Sequence, residues 1–306
     1  MTPAARTVVV RSDYGLPYSK GLMAQSIMAT GLAPERSFAL AAEIERRLFG
    51  AGADEVDVEG LRGIAEKVLA EEGDEVLTRF RHWWRLRRLD KPLIVLIGGV
   101  TGVGKSTVAT QLAGRLGITR VIATDQLRQV VRAFFSHDFM PAVHHSSFDV
   151  ARALSTYADD ESGTVAGFLR QANDLAPGID ALVQRAVSEG TPIVLEGVHL
   201  LPEIPDRRLR RDAIDVQMLL TVRDEHAHRS HFHMRGSETP RAPDRYLEGF
   251  SRIRVLQDYL IERAQREGIP IIDEQGIELT LARVTEVVLD AVGAGDDVKL
   301  PPKEVQ

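Results

Sequence analysis

Cysteine is absent from the 306 residues. That removes disulfides, thiolate metal sites and thiol nucleophiles, and fits a reducing compartment. No apolar stretch reaches the roughly 18 residues that a membrane-spanning helix needs, and the N-terminus carries no charged-then-apolar leader. A cytoplasmic protein without a membrane partner is expected. An excess of positive charge is also lacking: 38 Lys and Arg stand against 44 Asp and Glu, a formal net charge of -6. A nucleic-acid partner therefore gains no support from global electrostatics, and none is expected. What is present is the composition of a globular protein, 44% hydrophobic and 27% charged. Its length allows two domains, or one large domain with an appendage, and a core that needs no staples.

The chain is organised around Gly99-Val100-Thr101-Gly102-Val103-Gly104-Lys105-Ser106, which fits the phosphate-cradling pattern G-x-x-x-x-G-K-[ST]. An all-apolar run, residues 93–97, precedes it and reads as a buried parallel strand. Thr107 to Leu116 reads as a helix. Strand, glycine loop and helix are the context the motif requires. Glycines let successive N–H groups converge on one centre, and the helix N-terminus adds positive partial charge. Gly99, Thr101, Gly102, Val103, Gly104, Lys105, Ser106 and Thr107 are the nucleotide-binding candidates. Lys105 would reach the β- and γ-phosphates and Ser106 would carry Mg²⁺.

Downstream, strands alternate with helices, which predicts an α/β fold with a doubly wound parallel sheet. Val121-Ile122-Ala123 reads as the second strand, with Asp125 at its carboxyl end and Arg128 and Arg132 one turn apart on the following helix. Ligands of open parallel sheets bind outside the carboxyl ends of strands. Asp125 would therefore orient or deprotonate an acceptor hydroxyl, and the arginines would hold an anionic group. Asp125 also suits the N-cap of its helix. Residues 136–162, with His137, His144, His145, Ser146 and Ser147, form a long polar loop expected to act as an acceptor-binding flap. Helices follow near 163–172 and 175–189.

A further apolar strand delivers Glu196 to its end, where it could hold Mg²⁺ through water or orient the acceptor. His199 reads as a packing or hydrogen-bonding histidine, and stands among the substrate-binding candidates by its place in the crevice. Val216 to Val222 is the next strand. The histidine-rich run after it, residues 226–233, lacks the H-E-x-x-H spacing and any cysteine partner, so it does not read as a metal site. Arg229 and Arg235 flank a lid-like stretch and are candidates to neutralise charge on a migrating phosphoryl group. A long amphipathic helix is expected over Arg245–Glu267, with Tyr246, Phe250, Ile253, Leu256 and Leu260 inward. A last strand spans 269–273 and a closing helix 280–292.

Residues 1–90 read as a separate domain, 91–293 as the catalytic domain and 294–306 as a disordered tail. The front carries two short strands, a helix capped by Ser19, and three more helices. Of these, 34–49 sets Phe38, Ala41, Ile44 and Leu48 on one face. The wording Val9-Val10-Arg11…Gly15-Leu16-Pro17-Tyr18-Ser19-Lys20-Gly21-Leu22 and Ala41-Ala42-Glu43-Ile44-Glu45-Arg46-Arg47-Leu48 resembles an ATP-cone, a smaller, mainly helical regulatory domain. That resemblance implies a second nucleotide there. Tyr18 stands where the ATP-cone has phenylalanine.

The order of the other elements is similar to that of the 2-phosphoglycerate kinase family. The resemblance rests on Ile97 to Thr107, on Thr124-Asp125…Arg128…Val131-Arg132, on Leu195-Glu196-Gly197-Val198-His199-Leu200-Leu201-Pro202 and on His228-Arg229-Ser230-His231-Phe232…Arg235. With the front domain it covers nearly the whole chain. It implies a kinase that uses ATP and Mg²⁺ to phosphorylate a small anionic acceptor, 2-phosphoglycerate giving 2,3-bisphosphoglycerate. The residues leave open which of Asp125 and Glu196 acts on the hydroxyl. They also leave open a different acceptor (3-phosphoglycerate, glycerate, a sugar acid or a nucleoside), a non-catalytic ATP-sensing regulator, and an oligomer.

Overall fold

The computed structural model describes residues 9–11, 16–50, 55–86, 89, 91–154, 157–158, 160–238 and 244–294, the side chains of 9, 11, 16 and 234–238 apart. The chain divides into two units, 1–88 with 292–294, and 89–291 with 295–306. The expected strand residues 6–8, the turn at 13–15, the break at 51–53 and the tail beyond 294 lie outside the described residues.

In the first unit β1 (Val9–Arg11) pairs antiparallel with β2 (Leu16–Pro17) and parallel with β3 (Glu55–Asp57). The sequence reading missed β3, which has three residues, exposed ends and no apolar alternation to mark it. Four helices complete the unit: α1 (Lys20–Met28), α2 (Pro34–Gly50), α3 (Val58–Leu69) and α4 (Asp74–Leu86). Ser19 caps α1, its Oγ accepting from the Leu22 amide at 3.3 Å. On α2, Leu40, Ala41, Ile44 and Leu48 are buried, but Phe38 is 47% exposed. Ser37 is buried in its place, so the inward stripe differs from the expected one only in its first turn. Ile27 and Phe80 are fully buried in this unit.

The second unit holds a five-stranded sheet in the order β5-β6-β4-β7-β8, with every neighbour parallel. Its strands are β4 (Leu93–Gly98), β5 (Val121–Ala123), β6 (Ile193–Glu196), β7 (Ile214–Thr221) and β8 (Ile271–Asp273). Residues 93–97 of β4 are each at most 1% exposed, as a central strand covered on both faces requires. The chain runs from β4 out to edge strand β5, returns to β6 beside β4, then crosses to β7 on the other side. Connections therefore reverse direction at β4, and the crevice outside its carboxyl end is the place where such sheets bind ligands.

The connecting helices are α5 (Lys105–Leu116), α6 (Thr124–Phe134), α7 (Val150–Ala153), α8 (Glu161–Ser188), α9 (Glu225–Glu238), α10 (Asp244–Glu248), α11 (Phe250–Arg266) and α12 (Ile277–Ala294). Two expected boundaries differ. The two helices expected at 163–172 and 175–189 are one 28-residue helix, α8, which runs through Pro177. A proline in an isolated helix costs about 3 kcal/mol, but Leu175, Ile179 and Val183 are fully buried and packing holds the helix through it. Conversely, the single helix expected from Arg245 is broken at Gly249. A Cβ there would lie 2.4 Å from the Phe148 ring, so the break lets Phe148 in. Phe250, Ile253, Leu256 and Leu260 are buried as expected.

Candidate active site

Strand register brings the site together. Glu196, last residue of β6, pairs with Ile97 of β4 on one side and Ala123 of β5 on the other. The phosphate loop leaves β4 one residue after Gly98, and α6 leaves β5 one residue after Ala123. Three chain segments thus end side by side. Their closeness depends on Gly197. It adopts φ +153°, and a Cβ on it would lie 1.8 Å from the Thr124 hydroxyl oxygen. Only a residue without a side chain lets the end of β6 pass the first turn of α6 at this distance.

Within the phosphate loop Gly99, Gly102 and Gly104 have positive φ. Val103 is fully buried, and α5 begins at Lys105, two residues earlier than expected. The Lys105 ammonium curls back over the loop and donates to Val100 O at 2.7 Å. The Ser106 hydroxyl donates to Glu196 Oε1 at 2.7 Å. Glu196 is only 5% exposed. A hydroxyl and a carboxylate so placed are hard oxygen donors, and they fit a magnesium ion that takes one or two protein oxygens and fills its shell with phosphate and water. Among the described residues no group of three His, Asp or Glu side chains is placed to hold a metal by itself.

Asp125 is not the N-cap of α6, as the sequence had suggested; Ala123 holds that position. Asp125 sits in the first turn, where a carboxylate complements the helix dipole, and accepts from Arg128 Nε at 3.1 Å. Its side chain is 65% exposed, yet it opens into a concave site. The surrounding protein disfavours its charge, but positive neighbours outweigh that: His199 when protonated, Arg128 and Lys105 together hold the carboxyl below its usual range. Arg128 itself is only 12% exposed and also donates to Val143 O and His145 O at 3.1 and 3.2 Å. It therefore ties the loop after α6 to the carboxylate.

These groups share one cavity of about 470 Å³. Thr101, Lys105, Ser106, Asp125, Arg128, Arg132 and Glu196 line it, together with His144, His145, Ser146 and Ser147 from the polar loop. The loop is folded: a 3-10 turn over Pro141–His144 and helix α7 lie within it. His145 stands with Nε2 3.3 Å from His137 Nε2, and burial, then the neighbouring His137 and His144, push its pKa down. Arg245 and Tyr246 complete the wall. As site residues the sequence reading missed both. They begin a helix far along the chain, and nothing local marks them; they reach the cavity because the α10–α11 break admits Phe148.

Two candidates are placed elsewhere, and the side chain of a third is not described. His199 does not line the cavity; it is fully buried behind it. Its Nδ1 lies 2.8 Å from Thr124 Oγ1 and its Nε2 3.0 Å from Gln171 Oε1. Gln171 Nε2 donates onward to Ala142 O and His145 O at 2.6 and 3.0 Å. With both ring nitrogens engaged, His199 braces the loop against α6 from behind the cavity. Burial pushes its pKa down to about 4, against the pull of Asp125. Arg229 is turned away from the cavity, its guanidinium 3.9 Å over the Phe250 ring. It follows His228, whose ring faces the phosphate loop, and consecutive residues of a helix cannot share a face. Arg235 belongs to the backbone of α9, but its side chain lies outside the described residues.

No helix among the described residues is long and apolar enough to cross a membrane. No family model matches the chain. It is 32% identical over 294 residues to the 2-phosphoglycerate kinase of Methanopyrus kandleri, covering 95% of this chain and 90% of that protein. It is 35% identical over 280 residues to the 2-phosphoglycerate kinase of Pyrococcus furiosus, covering 90% of each. Among solved structures, a shikimate kinase from Acinetobacter baumannii aligns at 16% identity and a TM-score of 0.39, over 67% of this chain and 97% of that one.

Proposed function

Because the chain belongs to the 2-phosphoglycerate kinase family, we propose that it transfers the γ-phosphoryl group of ATP to the free hydroxyl of 2-phosphoglycerate, giving 2,3-bisphosphoglycerate in the cytoplasm. The observation that carries this reading is the convergence of Lys105, Ser106, Asp125, Arg128, Arg132 and Glu196 on one cavity. Its volume, about 470 Å³, falls in the range of small-molecule sites.

Each residue has a role that its surroundings support. The loop amides and the α5 N-terminus hold the nucleotide phosphates, and Lys105 exchanges its loop carbonyl for their oxygens. Ser106 and Glu196 are the protein ligands for Mg²⁺, which when bound offsets the charge of the β- and γ-phosphates. Asp125, kept ionised by its cationic neighbours, accepts a hydrogen bond from the acceptor hydroxyl and aims that oxygen at the γ-phosphorus. As the new O–P bond forms and the bond to the β–γ bridging oxygen breaks, the hydroxyl proton passes to the Asp125 carboxylate. A depressed pKa makes Asp125 a weak base. That suits a loose transition state, in which the proton leaves late. Arg132, Arg245 and the polar groups of residues 144–147 face the carboxylate and phosphate of the acceptor, and Arg128 holds Asp125 and the loop in place. The sequence also assigns Arg235, whose side chain lies outside the described residues, to the migrating phosphoryl group.

An ADP-release assay with 2-phosphoglycerate, 3-phosphoglycerate, glycerate, a sugar acid and a nucleoside tests the reading. Turnover stimulated by 2-phosphoglycerate well above the others is expected. ATP binding without stimulation by any acceptor would replace the kinase with a nucleotide-sensing regulator. The first unit is read as an ATP-cone-like domain, and calorimetry on the full-length Lys105→Ala variant reports it: residual ATP binding is the second nucleotide.

A further inference from the structure

Two histidines of α9 stand behind the phosphate loop. His228 Nε2 lies 2.9 Å from Thr101 O, and His231 Nδ1 lies 2.8 Å from Gly102 O. A carbonyl only accepts, so each of these ring nitrogens carries the proton and donates. Three residues apart, the two share one face of the helix. They take the carbonyls of two consecutive peptides. The same face brings Phe232 against the loop: a Cβ on Gly102 would lie 2.6 Å from its ring and 2.9 Å from His228 Nε2. Gly102 therefore has no side chain because α9 occupies that space. Phe232 in turn stacks on Tyr246 of the cavity wall, with centroids 5.3 Å apart and planes within 6°.

We propose that His228 and His231 are positioning residues for the nucleotide, acting through the peptides of the phosphate loop. A trans peptide holds its C=O and N–H antiparallel in one plane. Tying the Thr101 and Gly102 carbonyls to α9 aims the Gly102 and Val103 amides in the opposite direction, toward the side where Lys105 and Ser106 open to the cavity. Without the clamp those peptides are free to flip, and a flipped peptide presents oxygen to a phosphate instead of N–H. The clamp fixes the donors in advance, so less ordering is left for the nucleotide to impose. This inference rests on the phosphate-loop reading given above.

His231 is the one to test, because its side chain is 23% exposed, whereas His228 is fully buried. His231→Phe keeps the ring and removes the donor; His231→Asn keeps an N–H near the Nδ1 position. Affinities are measured with a fluorescent ATP analogue and with ADP on the full-length protein, alongside KM for the acceptor and thermal melting. His231→Phe is expected to weaken both nucleotides on the order of three- to tenfold, the worth of one hydrogen bond. The acceptor KM and the melting temperature should stay unchanged, and His231→Asn should restore nucleotide affinity. Wild-type affinity in His231→Phe, or equal loss in His231→Asn, overturns the inference while leaving the kinase reading intact. Failure of the wild-type protein to bind ATP overturns both.

Discussion

The Ser106 hydroxyl donates to Glu196 Oε1 at 2.7 Å, joining the first turn of α5 to the last residue of β6. Under the proposed function, the pair makes the nucleotide's metal a shared property of a helix and a strand that meet in space and lie about 90 residues apart in sequence. Glu196→Gln keeps the size and loses the charge. It is expected to raise the Mg²⁺ concentration for half-maximal turnover and to lower kcat about a hundredfold or more, with the fold intact by circular dichroism. An unchanged magnesium titration curve would remove Glu196 from the metal site.

Asp125→Asn should separate chemistry from nucleotide binding. The amide cannot accept the hydroxyl proton, so kcat is expected to fall about a hundredfold or more, with ATP affinity kept within a few-fold. Because cationic neighbours hold this carboxyl below its usual range, kcat/KM of the wild type should not lose an acidic limb at the ordinary aspartate pKa of about 3.9. The sign for stability is the same. A depressed carboxylate favours folding above its unfolded pKa, and that contribution is lost only as pH falls through the lower folded value.

The central parts of the site were legible because their signals are local. Glycine spacing marks the phosphate loop, and an apolar run ending in an acid marks Glu196. A helix beginning right after a short strand brings Asp125 and Arg128 with it. Arg245 and Tyr246 were not legible, because their arrival depends on Gly249 yielding to Phe148, a contact between segments about a hundred residues apart. The same holds for the histidines of α9. From sequence they are the faces of a charged helix, and only tertiary packing turns His228 and His231 to the phosphate loop. Helix α8 runs on through Pro177 for a related reason, since buried neighbours outweigh a local preference.

Arg245 links two carboxylate demands. It donates to Asp149 Oδ2 at 3.3 Å, while Arg252 holds Asp149 Oδ1 at 2.8 Å. With Asp149 already neutralised by Arg252, Arg245 can turn to an anionic acceptor without leaving a bare carboxylate. Arg245→Ala is expected to raise the acceptor KM about tenfold or more, the worth of a charge-assisted hydrogen bond, and to leave the ATP KM unchanged. Equal effects on both substrates would make its role structural.

Gly197→Ala tests the strand-to-helix crossing. The added methyl would lie 1.8 Å from Thr124 Oγ1 on a backbone at φ +153°. Neither side has room to give, since Thr124 is bonded to His199 and Gly197 N donates to Ile97 O at 3.0 Å. A loss of at least about 3 kcal/mol is expected, read as a large drop in the denaturation midpoint. Wild-type stability would mean that β6 and α6 do not meet this closely.

Acid should unfold the protein through its buried histidines before its carboxylates are protonated. Burial pushes His199 and His228 down to about 4, whereas in the unfolded chain each titrates near 6.5. The unfolded state therefore binds the protons first. Stability is full above about pH 6.5 and falls with pH between about 6.5 and 4, by on the order of 3 kcal/mol for the fully buried His199. His199→Gln removes one titrating site, so the variant should be less stable than wild type at pH 7.5 while losing less on going to pH 5. Thermal melts of both proteins at the two pH values measure this directly. Parallel shifts would show that His199 is not the group that takes up the proton.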